Sequence, residues 1–346
     1  MDRIARLLHN ATKASRILEI GAGYCPVAPK AAGWQTHVVD QAPRDALRQK
    51  YTDASVDLTV IEDVDTIWQS GPLHEAIPAS LLGRFDLLIA SHVLEHLPDL
   101  IGFLNSAQQL LTQDGAISIA LPDRRFCFDY FRPAPTTGAL LEAHAAAHVR
   151  HGLRIAWDQT AYAVTIDGAL AWGQHPVGSP SFVDAFSTAE GVLRQYTKDP
   201  GSLYADYHVW PFTPAGFKLA ILELGQIGAI DWHIASLHGP ERFEFFALLV
   251  RGAKPMADAA ALQACRMALL REQLIETAEQ AQFAAGQNPG TALASQQASL
   301  VRDLQATVAA QRQTLQEMQQ VLRWSSAALR PLRVLWRSAR RVWAAR

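Results

Sequence analysis

Glu19, Gly21, Ala22 and Gly23 lie at the end of an apolar run, Arg16-Ile-Leu-Glu-Ile20, and Asp40 closes a second run, Thr36-His-Val-Val39, about twenty residues later. Glycines at these places let the backbone approach a ligand that a Cβ would obstruct. A carboxylate ending the neighbouring strand offers two oxygens to the paired hydroxyls of a ribose. Together they describe a nucleoside site. Histidines supply the candidate bases. One is His208, within Asp206-Tyr-His-Val-Trp210, which reads equally as a hydrogen-bonded structural histidine. Another is His148, which with His144 and His151 has the i, i+4, i+7 spacing that puts three imidazoles on one helical face. No acid or cysteine nearby in sequence completes a ligand set for them, so no metal site is expected and solvated histidines are the simpler reading. Arg124 and Arg125 are candidates for gripping an anionic acceptor, or else surface charges. Trp172 and His175 are candidates for lining a substrate pocket, with a core tryptophan as the plain alternative.

The elements that position these residues follow from hydrophobic period. Short Val, Ile and Leu runs alternate with helix-period stretches, the pattern of a parallel sheet covered by helices. Strands are expected at 16–20, 36–39, 58–61, 85–90 and 116–121. Leu100, Phe103, Leu104, Ala107, Leu110 and Leu111 share one face of a helix that Pro98 and Asp99 start. Thr213-Pro214 is an N-cap and N1 pair for another helix, carrying Phe217, Ala220, Ile221, Leu224 and Ile227, and strands follow near 231–237 and 244–251. The expectation is an α/β, doubly wound, Rossmann-like domain over 1–253, with a seven-stranded mixed sheet. Residues 122–212 then form an insertion after the fifth strand, at the edge where open α/β sheets bind ligands. The insertion holds nearly half of the chain's aromatic side chains and is slightly acidic, which suits a substrate-recognition cap better than a linker.

Residues 254–320 turn to Ala, Gln, Glu and Leu, with a break at Asn288-Pro289-Gly290. Val301, Leu304, Val308, Gln311, Leu315, Met318 and Leu322 then recur at three- and four-residue spacing, a short coiled-coil seam. In 321–346, Arg323, Arg330, Arg333, Arg337, Arg340, Arg341 and Arg346 meet no acid and are interleaved with Trp324, Trp336 and Trp343. That tail reads as an amphipathic anchor for an anionic membrane surface, or as the polar face of an oligomer-forming helix.

Arg16-Ile-Leu-Glu-Ile-Gly-Ala-Gly-Tyr24 resembles the first motif of class I S-adenosylmethionine-dependent methyltransferases. Phe85-Asp-Leu-Leu-Ile-Ala-Ser-His-Val-Leu-Glu-His-Leu-Pro-Asp99, followed by Leu110-Leu-Thr-Gln-Asp-Gly-Ala116, is similar to the fourth-strand region and the turn into strand five of members acting on small molecules. The resemblance is close over 15–122 and looser over 213–251. It implies S-adenosyl-L-methionine as cofactor, with Ser91, His92 and Val93 beside its methionine part. It also implies Asp63 and Val64, with Glu62 or Asp65 as rivals, beside the adenine. The family's Glu-His pair, here Glu95 and His96, serves the start of a helix as much as chemistry. The glycine usual near Cys25 is absent, and Pro26 and Pro29 stand close by. Pro26 also occupies the third-glycine position of a dinucleotide-binding turn, which disfavours a nicotinamide-binding Rossmann domain.

A sulfonium methyl is already activated, so the protein's task is to align the acceptor and exclude water. A hydroxyl acceptor also needs a base; a carboxylate does not. The formal net charge of -2 gives no basic field for nucleic acid, and none is expected as a partner. Sugar faces pack on aromatic rings. Leu322-Arg-Trp-Ser-Ser-Ala-Ala-Leu-Arg-Pro-Leu-Arg333 also resembles tails of bacterial enzymes that build surface polysaccharides. O-methylation of a sugar or polysaccharide is therefore the expected reaction. The alternatives are methylation of a small lipid or metabolite, and a non-catalytic scaffold of the same fold acting through the coiled coil. Three scattered cysteines, no signal-like N-terminus and no apolar run near the roughly 20 residues of a membrane span suggest a cytoplasmic protein, peripheral at most to the inner membrane face.

Overall fold

A computed structural model describes residues 2–52, 56–174, 178–199 and 206–286, with residues 304, 305, 307, 308 and 312 beyond them. His175, the Asn288 break, nearly all of the expected seam and the whole of 321–346 lie outside the described residues. The chain divides into two compact units, 1–276 and 277–346.

In the first unit, helix α1 (Arg3–Leu8) precedes β1 (Arg16–Ile20), β2 (Gln35–Asp40), α2 (Arg44–Lys50), β3 (Thr66–Ile67), α3 (Leu73–Ala76), β4 (Phe85–Ser91), α4 (Leu100–Leu110) and β5 (Leu111–Pro122). The insertion follows as α5 (Thr137–Ala145), α6 (Leu153–Tyr162), an antiparallel ribbon of β6 (Val164–Ile166) and β7 (Pro180–Phe182), and α7 (Phe186–Lys198). The chain then returns through α8 (Pro214–Gln226), β8 (Trp232–Glu241) and β9 (Glu244–Arg251), and α9 (Ala259–Gly286) closes the described elements. The seven-stranded sheet has the order β3-β2-β1-β4-β5-β9-β8, with β9 antiparallel to both neighbours. This is the mixed, doubly wound sheet expected from the sequence.

The third strand is where the expectation fails. Leu58–Val60 is a turn of 3-10 helix, whose preceding Asp57 accepts a hydrogen bond from the Thr59 amide at 2.9 Å. Such local side-chain bonding competes with a sheet ladder. Of the apolar residues in 58–61 only Ile61 is buried, so burial does not pull the run into the sheet. The true β3 is a two-residue edge strand beside Val39 and Asp40.

Elsewhere the sequence signals act as written. Asp99 accepts from the Gly102 amide at 2.8 Å and caps α4, and Thr213 accepts from Gly216 at 3.3 Å and caps α8. α4 buries Leu100, Ile101, Phe103, Leu104, Ala107 and Leu110 in one core with Leu88, Ile117, Ile119, Phe217 and Trp232. Each side chain of this size contributes about 1.5–3 kcal/mol on full burial. The first unit extends past residue 253 because α9 is tied to α8: Arg266 reaches Glu223 at 2.7 Å, Lys218 reaches Glu272 at 3.0 Å, and Glu276 accepts from the Ala215 amide at 3.2 Å. In the second unit, Gln305 donates to Glu279 at 2.7 Å.

Register decides what emerges at the carboxyl edge. Ile20 pairs with Val39 on one side and Ala90 on the other, so Gly21, Asp40 and Ser91 leave their strands side by side.

Candidate active site

The Gly21 amide donates to the Val39 carbonyl at 2.8 Å, and the Gly23 amide donates weakly to Asp40 Oδ2 at 3.4 Å. Asp40 Oδ1 accepts from its neighbour Gln41 at 2.7 Å. Glycine loop and acid therefore face each other. Gly21 and Gly23 have φ of 65° and 49°, and a Cβ at Gly21 would stand 3.0 Å from Val93 Cγ2. Both facts require glycine there. Burial raises the pKa of Asp40, while the Gln41 and Gly23 amides and Lys50 act to lower it.

Glu19 serves this loop from beneath. Its buried carboxylate accepts from the Val27 amide at 2.6 Å and the Ala28 amide at 3.0 Å. Burial pushes its pKa up to about 7 against the opposing pull of those two amides. The loop that lacks a third glycine is thus held by a carboxylate, and Glu19 acts on the cofactor loop rather than facing the cleft.

Asp63 and Val64 are not at the site. With β3 at 66–67, they precede the strand and lie at its amino end, away from the edge that Asp40 faces. The Asp63 carboxylate is 80% exposed and pairs with Arg44 at 3.1 Å. The residues that do follow β3 are Trp68 and Gln69: the Trp68 amide donates to the Asp40 carbonyl at 2.9 Å, and Gln69 donates to the Gln41 carbonyl at 3.2 Å. Placing the strand eight residues early made these two residues invisible to sequence reasoning.

Beyond β4, Ser91 Oγ accepts from Arg3 at 2.7 Å, and His92, at φ 55°, points its Nε2 to Glu244 Oε2 at 2.9 Å. His92 Nδ1 lies 3.3 Å from Glu95 Oε1. Burial opposes a charged His92, yet Glu244 and Glu95 outweigh it and carry its pKa up to about 9. Both side chains are thus engaged by α1 and β9.

A second cluster stands at the same edge. The Val209 and Trp210 amides donate to the Glu95 carbonyl at 2.5 and 3.2 Å, which brings the last turn of the insertion against the end of β4. His208 is thereby buried next to Glu95 and His96. Its Nδ1 lies 2.5 Å from Asp129 Oδ2, and Asp129 also receives Arg132 at 2.6 Å. Burial would raise the pKa of Asp129, but His208 and Arg132 pull it down to about 2. His96 Nδ1 lies 3.0 Å from Asp206, which Lys50 approaches at 3.3 Å. The His96 imidazole holds the Asp206 carboxyl well below the usual carboxylate range. Asp129 and Asp206 carry no sequence signal, because only the folded insertion brings them to the histidines.

The other candidates have different surroundings from those expected. Helix α5 ends at Ala145, so His144, His148 and His151 share no helical face; His148 is exposed, His144 pairs with Asp99 at 2.9 Å, and His151 meets the His96 carbonyl at 2.8 Å. Arg124 is buried and donates to the Arg132 carbonyl at 2.9 Å, while Arg125 is buried against Asp123 at 2.6 Å. Both guanidiniums brace the start of the insertion instead of offering a surface for an anion. Trp172 is buried beside Tyr130, ring centroids 5.8 Å apart, as a core tryptophan.

The mixed sheet carries a glycine turn after its first strand and an acid at the end of its second, both at the carboxyl edge of its parallel strands. Residues 1–166 match a family model described as a methyltransferase domain. The match covers just under half of the chain and takes in the Gly21 turn, Asp40 and the end of β4. No curated protein matches the chain by sequence. Among solved structures, the chain is similar to the CcbJ methyltransferase from Streptomyces caelestis, at 13% identity and a TM-score of 0.37 over 72% of this chain and 94% of that one. It is similar to an S-adenosylmethionine dependent methyltransferase from Mesorhizobium loti, at 13% identity and a TM-score of 0.35 over 71% and 95%. It is also similar to a protein from Rhodobacter sphaeroides described as a Zn-dependent alcohol dehydrogenase, at 12% identity and a TM-score of 0.40 over 73% and 91%.

Proposed function

We propose that this protein methylates a hydroxyl oxygen of a sugar or polysaccharide, using S-adenosyl-L-methionine. The observation that carries the proposal is a histidine pair, half-buried His96 and buried His208, at the same strand edge as the Gly21 turn and Asp40. The residues present fit the cofactor: the space a Cβ at Gly21 would fill is bounded by Val93, and Asp40 faces it with acceptor oxygens. When bound, the cofactor supplies an electrophilic methyl group on a sulfonium sulfur. Asp40 would accept from its ribose hydroxyls, and Trp68 and Gln69 would flank its adenine. Asp129 bonds His208 through Nδ1, which leaves Nε2 as the nitrogen free to take the proton of an acceptor hydroxyl. The cleft would hold the acceptor oxygen in line with that methyl group while His208 takes its proton.

The acceptor class rests on the insertion. Phe131, Tyr162, Phe182 and Phe186 are exposed on it, and aromatic faces suit sugar rings. Incubation with methyl-labelled cofactor and fractionated cell-envelope glycans should yield labelled methyl ethers. Label found only in lipid or small-metabolite fractions would reject the glycan acceptor. His208→Ala should lower kcat by about 10²-fold with cofactor affinity unchanged; wild-type turnover in that variant would remove His208 as base.

A further inference from the structure

Glu95 is fully buried; His92 Nδ1 stands 3.3 Å from its Oε1 without hydrogen-bond geometry, and its Oε2 accepts no hydrogen bond. Such a group is costly unless something with positive charge satisfies it. One oxygen of Glu95, one nitrogen of His96 and one nitrogen of His208 all lie within 4.8 Å of one another, and Glu95 Oε1 is 4.0 Å from His96 Nε2. No other group of His, Cys, Asp and Glu converges in this way among the described residues. His208 Nδ1 bonds to Asp129, and His96 Nδ1 lies 3.0 Å from Asp206 without hydrogen-bond geometry, so each imidazole has Nε2 left for the interior of the cluster. A carboxylate behind each histidine is the arrangement that orients metal-ligating imidazoles and raises their basicity.

We propose that Glu95, His96 and His208 bind a divalent transition-metal cation of the zinc class. Two imidazoles and one carboxylate favour a borderline ion such as Zn²⁺ or Co²⁺ over Mg²⁺ or Ca²⁺, which prefer shells of oxygen. Zinc bonds of about 2.0–2.1 Å put tetrahedral ligand atoms about 3.3 Å apart. The cluster would contract by less than two ångströms, within reach of side-chain rotation. Three protein ligands leave a fourth position open.

The role of the ion, though not its binding, rests on the methyl-transfer reading. An acceptor hydroxyl in the open position would release its proton to water, since coordination lowers its pKa. The resulting alkoxide would bond to the methyl carbon as the carbon–sulfur bond breaks. His208 Nε2 would then act as ligand, and the base role given to it above belongs to the metal-free protein, because a metal-bound Nε2 has no lone pair left for a proton.

The test uses untagged full-length protein stripped with a chelator and dialysed. Titration with Zn²⁺ by calorimetry should show one site with micromolar or tighter affinity, and Co²⁺ should give visible d–d absorption without a thiolate charge-transfer band. Glu95→Gln and His208→Gln should each weaken binding at least 100-fold, and Asp129→Asn by about 10–100-fold, with circular dichroism confirming folding. Absence of saturable Zn²⁺ binding to the wild-type protein overturns the site whether or not the variants fold. Undiminished binding in folded variants, or a thiolate band from cysteine, also overturns it. Cofactor binding and methyl transfer without Zn²⁺ binding would defeat only the metal site. Stoichiometric Zn²⁺ binding with no methyl transfer to any acceptor fraction would defeat only the functional reading.

Discussion

Asp40 and Glu19 are both buried acids at the first loop, and both accept backbone amides, Asp40 through one weak bond at 3.4 Å and one at 2.7 Å, Glu19 through bonds at 2.6 and 3.0 Å. Asp40 keeps acceptor capacity toward the cleft, so Asp40→Ala should reduce cofactor affinity by roughly tenfold or more, from a loss of about 1.5–3 kcal/mol. Calorimetric titration checks this, and unchanged affinity would remove the ribose contact. Glu19 spends its oxygens on loop amides. Its folded pKa, about 7, is raised above the ordinary 4.5, so folding favours the protonated acid. Its contribution to stability should therefore fall as pH rises from 4.5 through 7 and stay level above that. In urea denaturation, Glu19→Gln should show a shallower decline than wild type across this window. Identical pH profiles would mean that Glu19 does not titrate there. At this scale the glycines and Asp40 were legible in sequence because strand, turn and acid follow one another along the chain. Arg124 and Arg125 were misread because an arginine bonded to carbonyls inside a cap looks the same in sequence as one in solvent.

Two connections hold the cleft: the turn after β1, and the segment from Asp206 to Thr213 that returns from the insertion. The turn needs a left-handed residue at position 21, where an added methyl would meet Val93. Gly21→Ala should cost about 1–2 kcal/mol of stability from backbone strain and also weaken cofactor binding. Thermal unfolding with and without cofactor checks this, and a variant equal to wild type in both would show that the turn has room to relax. The returning segment hangs from the Glu95 carbonyl through two amides and from the Leu97 carbonyl through the Trp210 indole at 2.7 Å. The Glu95-His96 pair thus holds a long-range connection as well as starting the turn before α4. The error at β3 belongs to this scale. A run of Leu, Thr, Val and Ile carries strand propensity, but Asp57 beside it bonds locally, and propensity is weak where nothing is buried.

For the whole molecule, the expected output combines a cofactor site, a cap and a tail. Among the described residues no helix is long and apolar enough to cross a membrane. We propose that the arginines and tryptophans of 321–346 give the protein peripheral membrane contact. Deleting that segment should lower its share in membrane fractions at low salt, and unchanged partitioning would favour self-association through the preceding heptads. Sequence alone determined the class of fold, since alternating strand and helix periods leave few ways to bury both faces of a sheet. It also put the Gly21 turn beside Asp40, because register follows from those strands. Only tertiary structure decided which histidines matter. His96 lies at the end of β4 and His208 beyond a long insertion, and what joins them to Glu95, Asp129 and Asp206 is the path of the returning chain, which no local spacing encodes.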